Sequence, residues 1–418
     1  MGDLTRAFAG LLLIALGACT TPLQQSAPAG ADSPAPLTGA QADLIVDGAE
    51  LCDLVRKHYV FLDGKAAGWD AMCADLPVRA AAAGSAPERL RVLEDLIDTL
   101  YDPHVSFGSN SGESPRLVPS GNDYWVEAGQ VTGVRAGSAA ALAGLQVSDR
   151  IVAMDGQPRD MAIAERIRPA GISPTAAQRA WAELAAAAGY RNRPHTVTIR
   201  RDGEDLTLLL DAGGVPAPEG PVTARMLPGR IGYVAFNNSL GDSDTVAAFD
   251  AAMENLRGAR GWVLDLRNTP GGGNTDVAEP VMGRFIDEAG AYQLVRPQDA
   301  PEWQKTVSPH GAWTAEGPLA VLVGHWTGSM GEGMAIGFDG LRRGEVFGSD
   351  MAGLAGGVED FALGRSGLSI RIPTYGLAHV DGTPRQDWHP PYRLLADNGA
   401  GPDLALQAAT DWIDSHQD

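Results

Sequence analysis

Apolar side chains recur every three or four residues along residues 42–100. This spacing brings them onto one face of an α-helix, so the pattern predicts successive amphipathic helices. The last of these is expected to start near Ser85, because Pro87 then falls in the first turn, where the missing N–H of proline is not needed. The pattern therefore predicts a helical bundle as the N-terminal domain, over residues 40–108.

In the C-terminal half, short stretches that favour strands alternate with amphipathic stretches, and residues 319–323 are an unbroken apolar run. Such runs, bounded by Gly or Pro, are typical of buried strands, and their alternation with helices is typical of an α/β domain. The predicted strands are 230–236, 262–266, 319–323 and 343–347, and the predicted helices are 245–256 and 276–285. The pattern in this half of the chain therefore predicts an α/β core over residues 222–418.

A third pattern lies between these two regions. The run from Val134 to Gly156 reads VRAGSAAALAGLQVSDRIVAMDG and resembles the signature of PDZ domains. The resemblance implies a PDZ domain over residues 119–212, with an Ala-rich helical insertion near residues 163–193. PDZ domains take an extended peptide, often a C-terminus, as an added edge strand. The alternative is a PDZ domain that only packs against the core.

The N-terminus has the features of an export signal. The apolar run 11–16 follows Arg6 and is too short to span a bilayer. It ends in Leu-Gly-Ala-Cys, which resembles a bacterial lipobox. The resemblance implies a signal peptide over residues 1–18, lipidation of Cys19, and a lipid-anchored protein of the bacterial cell envelope that faces the periplasm. The alternative is a plain signal peptide. Residues 19–39 are rich in Pro, Ala, Ser and Gly and predict a flexible tether.

Two cysteines remain if Cys19 carries lipid. Cys52 and Cys73 both lie in the predicted helical bundle. In an oxidising compartment such an even pair favours a disulfide, whereas two buried free thiols are the alternative.

Composition excludes some classes of ligand. The formal net charge is −20, and the sequence has no basic run that could bind phosphates, so no nucleic-acid partner is expected. Histidines and cysteines do not cluster at metal-ligand spacing, so neither a metal nor another cofactor is expected.

The strongest chemical signal is a serine directly after the predicted strand 319–323. The strand is followed by Thr327, Gly328 and Ser329, and then by a helix start. A hydroxyl at this turn lies at the positive end of a helix dipole, and the next N–H can face a developing oxyanion. This favours Ser329 as a nucleophile. The alternative is a capping box with Glu332, which only starts a helix.

A second stretch supports catalysis. The predicted strand 262–266 ends in a glycine-rich loop, and the two stretches together resemble the C-terminal processing, or tail-specific, serine peptidases, in their tricorn-type branch. The matching residues are Asp265, Leu266, Arg267, Gly271 and Gly272 in the loop and Thr327, Ser329 and Glu332 at the turn, while Thr269 departs from the usual Asn. The resemblance implies a multidomain α/β protein with a ClpP/crotonase-like peptidase core, which hydrolyses proteins or peptides presented through their C-terminal tails.

The resemblance also implies which groups assist the serine. One branch of the family uses a lysine after the nucleophile, but this chain has no lysine beyond Lys305. A Ser-Lys mechanism would therefore need Lys57, Lys65 or Lys305 to reach in from elsewhere. The other branch uses a histidine, and His104 matches its position. The oxyanion hole is expected from the N–H groups of Met330 and of Gly271 or Gly272.

The histidine should be oriented by a carboxylate. Asp387 is the preferred candidate, because it lies in the segment where the tricorn-type branch has its Glu. Glu359, Glu332 and Asp102 are the alternative carboxylates, and His325, His379 and His389 are the other histidines considered. A different reading of the whole chain is a non-catalytic envelope binding or scaffold protein on a peptidase-like core.

Overall fold

The computed structural model describes residues 37–191, 193–211, 213, 215, 220–237, 240–394 and 402–416. The expected signal peptide, Cys19 and nearly all of the expected tether lie outside the described residues. The described residues from Thr38 onward form one compact unit. In the part of the chain that is described, no helix is both long and apolar enough to cross a membrane.

Helices and strands alternate along the chain, with most strands in the second half. In the described ranges the α-helices are α1 (Gly39–His58), α2 (Ala66–Ala82), α3 (Ala86–Asp98), α4 (Ala139–Leu142), α5 (Arg159–Ala164), α6 (Ala176–Ala188), α7 (Thr245–Asn255), α8 (Thr275–Gly283), α9 (Met330–Gly340) and α10 (Leu404–Ser415). The strands are β1 (Ser106–Phe107), β2 (Tyr124–Glu127), β3 (Gln130–Val134), β4 (Arg150–Met154), β5 (Gln157–Pro158), β6 (His195–Arg201), β7 (Glu204–Leu210), β8 (Val222–Leu227), β9 (Ile231–Phe236), β10 (Gly261–Asp265), β11 (Gly290–Pro297), β12 (Trp303–Val307), β13 (Leu319–Val323), β14 (Glu345–Gly348), β15 (Gly357–Ala362), β16 (Ser369–Ala378) and β17 (Tyr392–Arg393).

Helices α1, α2 and α3 pack around a shared apolar core. The first and third begin at capping boxes, in which a hydroxyl side chain accepts from the N3 amide and the N3 side chain accepts in return. Ser85 is the cap of α3 and Pro87 lies in its first turn, as the sequence predicted. Cys52 of α1 and Cys73 of α2 form a disulfide, with an S–S distance of 2.05 Å.

A six-stranded sheet follows these helices. Its strands run in the order β2-β3-β4-β6-β7, and β5 pairs with β4. Helix α6 packs on β2, and β2 is an edge strand of the sheet. The expected helical insertion is interrupted: residues 165–175 are not an α-helix, because this stretch contains Pro169, Gly171 and Pro174, which break a helix, and α6 ends at Ala188.

The C-terminal core is built on a second six-stranded sheet, β17-β14-β13-β10-β9-β8. All pairs are parallel except β8 with β9. Strand β13 is buried on both faces, which is typical of parallel sheets. Leu319 and Val321 pack with α7, α8 and α9, whereas Ala320 and Leu322 pack with α10. The turn that contains Ser329 therefore follows a strand that is packed on both faces.

A third sheet connects the N-terminal helices with this core. Strand β16 pairs with β1, β11 and β15, and β11 pairs with β12. Ile370 and Ile372 of β16 belong to the apolar core of the N-terminal helices. Because β1 pairs with β16 at Ser106↔Arg371, the segment just before β1 lies next to the C-terminal core.

Candidate active site

Ser329 lies between strand β13 and helix α9, at the carboxyl end of the parallel sheet. Its backbone has φ 53° and ψ −108°, a conformation that residues other than glycine rarely adopt. The turn is closely packed, since a Cβ on Gly331 would lie 2.3 Å from the Thr269 hydroxyl oxygen. Such packing holds the serine in a strained conformation on a sharp strand-to-helix turn.

The loop after β10 is joined to this turn by hydrogen bonds. The Thr269 and Thr327 hydroxyls both donate to the Leu266 carbonyl, at 2.8 and 2.9 Å. The Gly328 N–H donates to the Thr269 carbonyl at 2.9 Å. Thr269, which departs from the family pattern, is therefore part of the connection between the loop and the turn. This connection fixes the relative position of the two segments.

His104 lies against the serine. Its Nε2 is 3.1 Å from the Ser329 hydroxyl oxygen, although the two residues are 225 positions apart in the sequence. Its Nδ1 is 2.8 Å from the Ala355 carbonyl oxygen, which can only accept, so Nδ1 carries the proton and Nε2 accepts from the serine. Burial, and then the neighbouring Arg385, lower the pKa of His104 to about 4, which keeps the ring neutral at pH 7.

The segment 353–356 that supplies this carbonyl is held from two sides. Glu332 accepts the N–H groups of Gly353 and Leu354, at 2.9 and 3.1 Å. The buried Arg385 donates to the Leu354 and Gly356 carbonyls, on either side of Ala355. These two side chains therefore fix the group that orients His104. Sequence reasoning missed Ala355 and Arg385.

Glu332 does more than start a helix. It accepts the Ser329 N–H at 2.7 Å, as a capping box requires, and it also binds the neighbouring segment. The side chain is fully buried, and burial raises the pKa of this carboxyl to about 7, against the lowering effects of Arg385 and the three N–H groups. The Ser329 N–H is thereby occupied and does not point to a substrate.

The expected carboxylate is not where the sequence suggested. Asp387 is exposed at the end of the 3₁₀ turn Arg385–Asp387, and the Ala355 carbonyl occupies the position at Nδ1 of His104 that a triad carboxylate would take. The assignment of Asp387 as orienting group was therefore wrong. The physical reason is that Arg385, two residues earlier, is the buried member of this turn and faces the site.

The other candidate carboxylates and histidines lie elsewhere. Glu359 lines the open cleft beside the serine, and Asp102 binds the backbone N–H of His104 and not its ring. His325 is stacked on Trp125, and the remaining two histidines are paired with aspartates, His379 with Asp339 and Asp381 and His389 with Asp350.

A cleft of about 690 Å³ opens over the serine and the histidine. It is also lined by Met330, Gly273, and residues of β11, β12, β15 and β16. Lys57 and Lys305 reach its walls, whereas Lys65 binds Tyr59. The partner found for the Ser329 hydroxyl is the His104 ring, so the arrangement is that of a Ser-His pair.

Of the expected oxyanion donors, Met330 lines this cleft. Met330 is the first residue of α9, one of the positions whose N–H has no acceptor within its own helix. Gly271 and Gly272 have φ of 144° and 78°, so both rely on the freedom of glycine. Gly273 lines the cleft with Met330 and was not singled out from the sequence. Among the described residues no group of acidic, histidine or cysteine side chains could hold a metal ion.

Residues 230–389 match the model of peptidase family S41. The core of this chain is an S41 peptidase domain. The S41 core makes the chain a serine-type peptidase, and it contains the strained serine and the loop after β10. No curated protein matches the sequence.

Solved structures extend the likeness beyond the S41 core. The photosystem II D1 C-terminal processing protease superposes with a TM-score of 0.54 at 18% identity, covering 90% of this chain and 98% of that one. Mature CPAF gives 0.56 at 13% identity, with 90% and 96% coverage. A putative peptidase from Parabacteroides merdae gives 0.53 at 13% identity, with 90% and 97% coverage. At these identities the likeness shows a shared fold.

Proposed function

We propose that this chain is an endopeptidase of the bacterial cell envelope that hydrolyses proteins or peptides through a Ser329–His104 pair. The observation that carries the proposal is the 3.1 Å contact between Nε2 of His104 and the Ser329 hydroxyl, in an open cleft of the S41 core. A neutral imidazole in this contact is a competent general base, and serine needs one at neutral pH.

In the proposed reaction the Ser329 oxygen attacks the scissile carbonyl while its proton moves to Nε2 of His104. The oxyanion is bound by the Met330 N–H and by an N–H of the loop that contains Gly271 and Gly272. The imidazolium then gives its proton to the leaving amine. A water molecule, deprotonated by the same ring, releases the acyl group. The Ala355 carbonyl holds the ring and its tautomer throughout, in place of the carboxylate of a triad.

The unit built on β2 to β7 acts in this proposal as a PDZ domain that binds or gates substrate tails. Its contacts with the S41 core support a link to catalysis. Arg135 donates to the Asn268 side chain at 3.0 and 2.6 Å, in the loop after β10. The Trp326 indole, three residues before the nucleophile, donates to the Asn122 carbonyl at 2.7 Å. A substrate from which the C-terminal tail has been removed should then be cleaved more slowly than the intact substrate. Arg135→Gln should reduce this difference in cleavage rate.

The location rests on the lipobox-like sequence alone. We propose that the mature protein starts at a lipidated Cys19 and is anchored to a membrane facing the periplasm. Cys19→Ser should leave unprocessed precursor and abolish labelling with a radioactive fatty acid. A mature N-terminus downstream of Cys19, without lipid, would refute the anchor.

The decisive experiment is labelling with a fluorophosphonate probe together with hydrolysis of an unstructured protein. We expect labelling at Ser329, and loss of labelling and hydrolysis in both Ser329→Ala and His104→Ala, with the double variant no worse than either single variant. Matched controls are Ser349→Ala and the exposed His389→Ala, which should keep both activities. A wild-type protein that neither labels nor hydrolyses would favour the alternative, a non-catalytic binding or scaffold protein.

A further inference from the structure

We propose that Asp102 is a positioning residue that supplies the negative charge for the His104 imidazolium, with Tyr59 and Lys65 holding it in place. This rests on the proposed Ser-His mechanism. The geometry points to Asp102 because the histidine ring itself has a carbonyl as partner, which orients the ring but carries no full charge to balance the cation formed during catalysis.

A chain of short hydrogen bonds leads to the histidine from the N-terminal helices. Lys65 Nζ donates to the Tyr59 hydroxyl at 2.5 Å, and this hydroxyl donates to Oδ2 of Asp102 at 2.6 Å. The other oxygen, Oδ1, accepts the backbone N–H of His104 at 2.9 Å. Tyr59 and Asp102 are buried, so the carboxylate is held in one orientation next to the base.

The groups that face His104 are mostly positive. Arg385 approaches from the 3₁₀ turn and Arg371 from β16, and both disfavour the imidazolium. Asp102 acts on His104 in the opposite direction and favours the imidazolium. In a buried site such a charge acts over several ångströms with little screening. The carboxylate therefore need not touch the ring to stabilise its protonated form.

Tyr59 and Lys65 control how strongly this charge acts. The phenol is buried beside the carboxylate, and both circumstances raise the pKa of Tyr59, so it remains a hydrogen-bond donor. Burial lowers the pKa of Lys65, while Asp102 opposes that effect. When Lys65 is charged, it offsets part of the negative charge of Asp102. Removal of Lys65 and removal of the Asp102 charge should therefore shift the basicity of His104 in opposite directions.

The test uses the full-length protein and a peptide boronic acid, which forms a tetrahedral anion on the serine. The imidazolium pKa of His104 is read from the downfield NMR signal of its Nδ1–H in this adduct, and kcat and KM are measured for a peptide substrate. Asp102→Asn keeps an oxygen to accept the His104 N–H but loses the charge. We expect the adduct pKa to fall by about one unit and kcat by about tenfold, with KM unchanged.

The matched control is Asp47→Asn. Asp47 is also buried and also accepts backbone N–H groups, those of Arg365 and Ser366 at 2.8 and 2.9 Å, but it lies on α1 at the turn before β16. This variant should leave the adduct pKa and kcat unchanged. Lys65→Met, at a partly exposed site, should raise the adduct pKa, and it keeps the test informative if Asp102→Asn does not fold.

Each outcome has a distinct meaning. An unchanged adduct pKa and kcat in Asp102→Asn, or a shift in the same direction in Lys65→Met and Asp102→Asn, would overturn the proposed role of Asp102 while leaving the Ser-His mechanism in place. If the wild-type protein forms no boronate adduct and cleaves no peptide, the proposed function itself fails.

Discussion

Glu332→Gln should change how the stability of the protein depends on pH. Burial raises the pKa of this carboxyl from its usual 4.5 to about 7. The folded state then binds the proton more tightly than the unfolded state. The stabilisation that comes from this proton is complete below about pH 4.5 and is lost as the pH rises through about 7.

The size of the effect follows from the shift. A difference of about 2.5 pKa units corresponds to about 3 kcal/mol of unfolding free energy. Glutamine does not titrate, so the variant lacks this loss. It can keep the hydrogen bonds to one carboxylate oxygen but not to both, which adds a constant cost of about 1–3 kcal/mol that does not depend on pH.

The measurement is urea unfolding of both proteins from about pH 4 to about pH 8. Other groups titrate in both proteins, so the difference between the two free energies of unfolding isolates Glu332. We expect the variant to gain about 3 kcal/mol relative to wild type as the pH rises across this range. The exposed Glu316→Gln is the control and should give a flat difference. A flat or falling difference for Glu332→Gln would mean that Arg385 and the three N–H groups outweigh burial, and the reasoning would be wrong.

Three further predictions concern activity and the N-terminal helices. The pKa of His104 is lowered to about 4, so kcat/KM of the Glu332→Gln variant, in which Glu332 does not titrate, should stay constant as the pH falls well below 6.5. A fall in kcat/KM with a midpoint at pH 6.5 would contradict the argument that burial lowers this pKa. Gly272→Ala should lower kcat about 10²-fold or more, since φ 78° is strained for alanine and an oxyanion donor is displaced; unchanged kcat would remove this loop from the oxyanion hole. Cys52→Ser with Cys73→Ser should cost about 3 kcal/mol, because the disulfide closes a loop with a sequence separation of 21; equal unfolding midpoints for the double variant and wild type would refute this.

Much of the fold could be predicted from apolar patterns. The strand at 319–323 has the bounds that the sequence predicted, and the strand predicted at 262–266 differs from β10 by a single position. Both are continuous apolar runs ended by glycine or a charged residue, which is a local signal. The break between α5 and α6 was missed because the alanine content dominated over Pro169 and Pro174.

From the sequence, only those residues of the site that belong to a recognisable motif could be predicted. Ser329 and His104 stood in recognisable surroundings, and the structure brings them together. The group that orients the histidine is a main-chain carbonyl, and every residue has one, so no residue type could mark Ala355. Asp387 was favoured because its segment matched in position. The buried arginine two residues earlier has no sequence signal that separates it from a surface arginine.

The pairing of β1 with β16 makes the proposed Ser329–His104 pair a product of tertiary assembly. The serine and its turn are built by the C-terminal core, whereas the histidine is delivered by the segment that follows the N-terminal helices. A partly folded or truncated chain would hold a serine without its base. Under the proposed mechanism such a chain could not hydrolyse peptide bonds, and proteolysis would begin only once the N-terminal helices and the C-terminal core have assembled.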